Sequence, residues 1–159
     1  MTTTAYRAAI DAHDPPALGA ACTPDVVFRS PISNSAHFEG RAALESLYRT
    51  VHAVYDQRDC VAEHRDGDTV FLLFRARVGR QELDEVQVLR LNEEDLVREI
   101  TMYVRPLPGL TRLTAALAPR LAAPHGRWRA LLLAGMLRPL AFITRAGDRT
   151  GARLAKAGS

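Results

Sequence analysis

The order of patterns along the chain predicts an α+β fold, with helices packed on a curved, mostly antiparallel sheet. Three observations carry that reading. Residues Asp25–Gly40, DVVFRSPISNSAHFEG, begin as a strand: Val26, Val27 and Phe28 suit a pleated, half-buried surface, and Pro31, which has no backbone donor, ends it. Gly40 then opens a helical pattern over Arg41 to Tyr55, whose apolar residues Leu44, Leu47, Tyr48 and Val51 share a face. Three long strands joined by tight polar turns follow, the mark of an antiparallel meander. A chain of 159 residues, 47% hydrophobic and 25% charged, suits one domain with a single core.

Thr2 to Thr4 offer a cap for a first helix, whose apolar face is Ala5, Tyr6, Ala9, Ile10 and His13. Asp14-Pro15-Pro16 breaks it, and a short second helix is expected over Ala17–Cys22. Thr23-Pro24-Asp25 reads as a turn into the first strand. Ser33 to His37 forms a polar loop, placed over the mouth of whatever lies beneath. Strands are expected at Cys60–His64, Thr69–Val78, Gln81–Leu91 and Leu96–Arg105, with the Asp-Gly signal of a hairpin at Asp66-Gly67. Strand alternation puts Phe74, Ala76 and Val78 on one face of the first long strand. It does the same for Gln87, Leu89 and Leu91 on the second, and for Ile100, Met102 and Val104 on the third. Phe28, Phe74, Leu89, Ile100 and Met102 are therefore expected to line an inner space closed by the first and third helices. Pro106 and Pro108 end the sheet.

The net charge of +3 hides a split. Residues 1–110 hold 12 Arg against 17 acidic residues, or −5, whereas residues 111–159 hold 8 Arg, 1 Lys and 1 Asp, or +8. The chain divides accordingly into a body, 1–110, and a basic amphipathic helical extension, 111–159. Helices are expected in that extension at Leu110–Leu121 and Trp128–Thr144, split by Pro119 and Pro124. In the second, Leu131, Leu132, Met136, Leu140 and Ile143 recur at helical spacing and need burial. Protein, either the body or a dimer mate, is the preferred cover because Gly135 and Pro139 interrupt the stripe. Peripheral contact with an anionic membrane is the alternative. The longest uncharged run, Ala130–Leu137, is well short of the ~20 residues of a membrane span. The N-terminus carries no basic, apolar leader, which points to the cytoplasm.

Cys22 and Cys60 are isolated thiols in apolar surroundings and read as reduced packing residues. No CxxC, HxxxH or carboxylate cluster has ligand spacing, so neither a metal nor a cofactor is expected. The basic surplus is confined to the extension and lacks interleaved aromatics apart from Trp128, which argues against nucleic acid as a partner.

Several stretches together resemble the NTF2-like superfamily, and within it the SnoaL-like proteins and ketosteroid isomerases. They are Tyr6 eight residues before Asp14, the segment VVFRSP, FEGR leading into a helix, the hairpin VQVLRLNEED and the last strand REITMYVRPL. The resemblance spans about residues 5–110 and excludes the extension. It implies a cone-shaped α+β barrel with an apolar cavity, and often a homodimer through the outer sheet face. A small hydrophobic molecule would be bound through Tyr6, Ser30 and Gln87. Ketosteroid isomerases use an Asp base and an oxyanion site of Tyr and a neutral Asp. Tyr6 stands in the tyrosine's place, but Ser30 replaces the base and Gln87 the protonated acid. Serine does not act as a carboxylate base, and glutamine donates but cannot titrate. The Asp–Arg–Asp set of limonene-epoxide-hydrolase-like members is also broken, with Arg75 against the arginine but Arg77 and Met102 where the acids belong. Pocket binding without the usual acid–base residues is thus the leading expectation. The alternatives are an isomerase, cyclase or hydrolase of polyketide, terpenoid or steroid-like metabolism, and a dimeric scaffold whose basic tail docks on a membrane or partner.

Each polar residue also has a plainer reading. Tyr6 fits an ordinary amphipathic helix, and Ser30 a strand end bonding its own backbone. A buried Gln87 amide needs partners. His37, His52 and His64 read as exposed, and Arg29, Arg75 and Arg77 as paired with Glu82, Asp84 or Glu85 on a neighbouring strand.

Overall fold

A computed structural model of the chain describes residues 4–33 and 37–157. Helices α1 (Ala5–Asp11) and α2 (Pro15–Ala20) lead into strand β1 (Cys22–Arg29), the short β2 (His37–Glu39) and helix α3 (Arg41–His52). The meander is β3 (Gln57–Asp66), β4 (Thr69–Val78), β5 (Gln81–Leu91) and β6 (Val97–Arg105), followed by α4 (Leu107–Ala122) and α5 (Arg127–Ala157). Among the described residues one six-stranded sheet results, in the order β2-β1-β6-β5-β4-β3, in which the β1–β6 pair is parallel and the others antiparallel. This is the expected α+β architecture.

Local chemistry sets the boundaries. Thr4 caps α1 by accepting the Arg7 N–H at 3.2 Å, and Asp14 caps α2 by accepting the Ala17 N–H at 3.0 Å. Thr2 and Thr3, also expected as caps, lie outside the described residues, as do residues 34–36 of the polar loop. Gly40 enters α3 at φ +83°, a conformation that glycine adopts without a Cβ clash. The expected turn at Thr23-Pro24-Asp25 is instead part of β1, and Cys22 belongs to that strand and not to α2. The register with β6 shifts between Cys22 and Val27, and at such an irregularity Pro24 needs no ladder donor. Arg41 secures the bulge from α3, donating through Nε and Nη2 to the Cys22 carbonyl.

Helices α1 to α3 and the inner sheet face enclose the core. Leu18, Leu72, Phe74, Leu89 and Ile100 are fully buried there. α4 joins the same core: Leu113 and Leu117 are buried, and a Cβ on Gly109 would come within 2.7 Å of the Leu83 Cβ. The boundary expected at residue 110 therefore falls within a helix that packs on the body.

α5 folds back along α4, resting on it through the half-buried Leu133, Ala134, Leu137 and Ala141, with Thr144 Oγ1 2.7 Å from Thr111 Oγ1. The expectation that the body buries Leu131, Leu132, Met136, Leu140 and Ile143 is corrected: all five are exposed on the single chain. The helix is apolar on two faces, and spacing alone does not tell which face meets α4. The uncharged run is short, as expected, yet the helical segment Arg127–Asp148 contains an 18-residue window of mean hydropathy 1.3, long and apolar enough, by length and composition alone, to cross a membrane.

Candidate functional site

The alternation that turns Leu83 and Leu89 inward also buries Glu85 and Gln87 on β5. A buried carboxylate needs partners, and three donors converge on it. Arg58, on β3, donates through Nε to Oε2 at 3.3 Å and through Nη2 to Oε1 at 2.5 Å. Tyr55, just after α3, donates to Oε2 at 2.8 Å, and Gln87 Nε2 donates to Oε1 at 2.7 Å. Tyr6, from α1, donates its hydroxyl to Gln87 Oε1 at 3.1 Å. The Arg58 guanidinium lies 4.1 Å over the Phe74 ring, which completes its shielding from water.

Burial, followed by nearby charges, raises the Tyr6 hydroxyl well above the usual tyrosine range. Burial and then the Glu85 charge do the same to Tyr55. For Arg58, burial favours loss of the proton, but the Glu85 carboxylate outweighs it and holds the guanidinium above its ordinary range. The tyrosines are thus neutral donors, and both Glu85 carboxylate oxygens are already taken up as acceptors. The carboxylate also fixes the Gln87 amide, because a flip would set its oxygen against Glu85. Among the described residues, the second Gln87 amide hydrogen has no recorded acceptor.

Above this network lies a cleft of about 390 Å³ between β1, α3, α4 and α5. Its walls are mainly apolar, including Phe28, Phe38, Leu47, Val51, Met102, Leu113 and Leu117. A second space, about 20 Å³, borders Tyr6, Arg58, Glu85 and Gln87, enough for one water-sized group. The two share Phe28, Leu47, Val51 and Met102 as walls.

Of the expected site residues, Phe28, Met102 and Ser30 border the cleft, and Tyr6 and Gln87 border the niche. Phe74, Leu89 and Ile100 lie on the same sheet face but are 0% exposed and border neither space, having been consumed by core packing. The Ser30 hydroxyl accepts the Ile32 N–H at 3.2 Å, a local strand-end bond. Gln87 finds its partners in Tyr6 and Glu85 and not in Ser30. His52 packs against the His13 ring at 4.0 Å on the surface, His64 is exposed, and the His37 side chain lies outside the described residues. Arg29 pairs with Glu99 at 3.1 Å, while Arg75 and Arg77 stand opposite Asp84 and Glu82 on the outer face. The Cys22 thiol donates to the Leu18 carbonyl, and burial pushes it up to about 12.

Sequence reasoning missed Glu85, Arg58 and Tyr55. Glu85 had a signal, since it shares inward parity with Leu83, Gln87 and Leu89. Arg58 had none, because β3 begins before the strand expected at Cys60.

A family model for a SnoaL-like domain matches residues 3–100. Among solved structures, the chain is similar to a steroid delta-isomerase from Pseudomonas aeruginosa, at 31% identity and TM-score 0.65, covering 74% of this chain and 87% of that one. It is also similar to a bacterial protein with a cystatin-like fold from Silicibacter pomeroyi DSS-3, at 22% identity and TM-score 0.68, covering 73% and 82%. An NTF2-like protein from Cytophaga hutchinsonii superposes with TM-score 0.55 at 15% identity, covering 68% and 95%. Comparison with curated proteins gave no match.

Proposed function

The chain belongs to the SnoaL-like family, within the NTF2-like superfamily, and on that footing we propose that it binds a small, largely hydrocarbon molecule bearing one polar oxygen. The carrying observation is the pairing of an apolar cleft of about 390 Å³ with a polar niche behind shared walls. That volume lies in the range of small-molecule sites. The apolar body would fill the cleft, and its oxygen would accept the remaining Gln87 amide hydrogen. Met102, flexible and shared by both spaces, is the side chain that would turn aside to join them. Titration with Nile red, a neutral apolar fluorophore, tests this reading. Val51→Trp, filling the cleft from α3, should weaken binding by about tenfold or more without lowering the melting temperature, since a closed pocket forfeits most of its apolar burial. Unchanged affinity would place the dye, and the site, elsewhere.

The likeness to a steroid delta-isomerase favours an enzymatic reading as the rival. Against it, Ser30 and Gln87 stand where that chemistry needs a base and a titrating donor, and Glu85 is tied to Arg58. Wild-type protein should therefore produce no measurable conjugated enone from a Δ5-3-ketosteroid, because each missing catalytic group costs orders of magnitude in rate. Robust isomerisation lost in Tyr6→Phe would establish the enzyme instead.

We further propose a homodimer through the outer sheet face. Phe71 is opposite Val88, Leu73 opposite Val86, and Val86 opposite Tyr103, which makes a contiguous apolar strip across β4, β5 and β6. Phe71 is 41% and Tyr103 59% exposed. Sedimentation should give a dimer that Phe71→Glu with Tyr103→Arg converts to monomer. A wild-type monomer at micromolar concentration would reject this interface.

A further inference from the structure

We propose that α5 docks on the surface of an anionic phospholipid bilayer, lying in its plane, with a cluster of arginines beside it receiving phosphate-bearing headgroups. Two independent observations meet there. The first is the outward face of α5. From Trp128 to Ile143, Trp128, Leu131, Leu132, Met136, Phe142 and Ile143 are each 55–74% exposed. That stripe is about 24 Å long at the helical rise per residue. Large apolar side chains gathered on one exposed face need a partner.

The second is a cleft of about 370 Å³ between the β4–β5 turn, α4 and α5, lined by Arg80, Arg112, Arg138 and Arg145 and by no carboxylate. None of these four arginines has an ion-pair partner among the described residues. The nearby Asp56 accepts the backbone N–H of Gly79. Phe142 belongs both to the exposed stripe and to the wall of this cleft, so the apolar and cationic surfaces are continuous. An apolar stripe edged by guanidinium groups fits the boundary between acyl chains and anionic headgroups.

Charge selects the occupant. A second copy meeting this face would bring together two segments that each carry +8 over residues 111–159, whereas anionic lipid complements that charge. Spanning is disfavoured by position. Arg138 stands midway along Arg127–Asp148 and would sit near the bilayer centre, and α5 would have to leave α4 and its Thr111–Thr144 contact.

Trp128 is the single tryptophan of the chain and reports on this face. With the full chain, co-sedimentation with vesicles of phosphatidylserine and phosphatidylcholine is expected, and none with phosphatidylcholine alone. Trp128 emission should shift to the blue on binding, and salt should reverse it. Arg138→Gln with Arg145→Gln should weaken vesicle binding by about tenfold or more. Leu132→Gln with Met136→Gln should also weaken it. All four sites are at the surface or half-buried, so folding is checked by an unchanged melting temperature. Equal binding to both vesicle types overturns the proposal. So does a Trp128 shift that grows with protein concentration without lipid, which would identify a second copy. A shift produced by inorganic phosphate with no vesicle preference would reduce the cluster to an anion site, and resistance to alkaline carbonate extraction would make α5 a spanning helix.

Discussion

A chain ending at Leu110 should lose cooperative folding, whereas a chain ending at Gly126 should melt close to the full-length protein. The first cut removes most of α4. Leu113 and Leu117 are 1% and 6% exposed, and Ala115 is buried as well. Burying a leucine contributes about 1.5–3 kcal/mol, so the two leucines alone account for about 3–6 kcal/mol. A typical domain has only about 5–15 kcal/mol in hand. The cut would also open the ligand cleft, because Leu113, Leu117 and Leu121 are among its walls. The second cut removes α5, whose large apolar residues are mainly exposed, and so it uncovers little of the core. Thermal and denaturant unfolding followed by circular dichroism distinguishes the two. A chain ending at Leu110 that melts within a few degrees of the full length would mean that α4 is an appendage. Collapse of the chain ending at Gly126 would mean that α5 supports the body more than its exposure implies.

Glu85→Ala should destabilise the protein by about 3–5 kcal/mol, the usual cost of stranding one partner of a buried ion pair. The Arg58 side chain is only 8% exposed, and Tyr55 and Gln87 would lose their acceptor in the same step. The informative companion is Arg58→Met with Glu85→Leu. It removes both charges and keeps the volume apolar, so its cost should fall below that of Glu85→Ala despite the additional substitution. Urea denaturation of the three proteins supplies the comparison. A Glu85→Ala cost under about 1 kcal/mol would indicate a solvated pair, as at a surface salt bridge, and would remove the rationale for a fixed polar niche.

The long strands Thr69–Val78 and Gln81–Leu91 have the same bounds in sequence pattern and structure, and their inward faces agree residue by residue. Both are long enough for a period of two to be unambiguous, and each is bounded by a turn with its own chemistry. Tyr6 and Gln87 were also legible as inward polar residues. Their mutual bond was not, because it joins residues 81 positions apart and depends on where α1 crosses the sheet. The same holds for Arg58 and Glu85: the strand expected at Cys60 left Arg58 outside it, and only the register of β3 brings its guanidinium to Glu85. Short elements escaped for a different reason: β2 is three residues long and exists only because β1 supplies its partner. The tail shows the limit most plainly. Composition determined that α5 would be helical, apolar and basic. Which of its two apolar faces is covered was decided by α4, whose inner side is committed to the core, so that α5 rests on α4's outer side and turns its larger side chains away. Local spacing encodes what a helix can bury, and only the packing of its neighbours decides what it does bury.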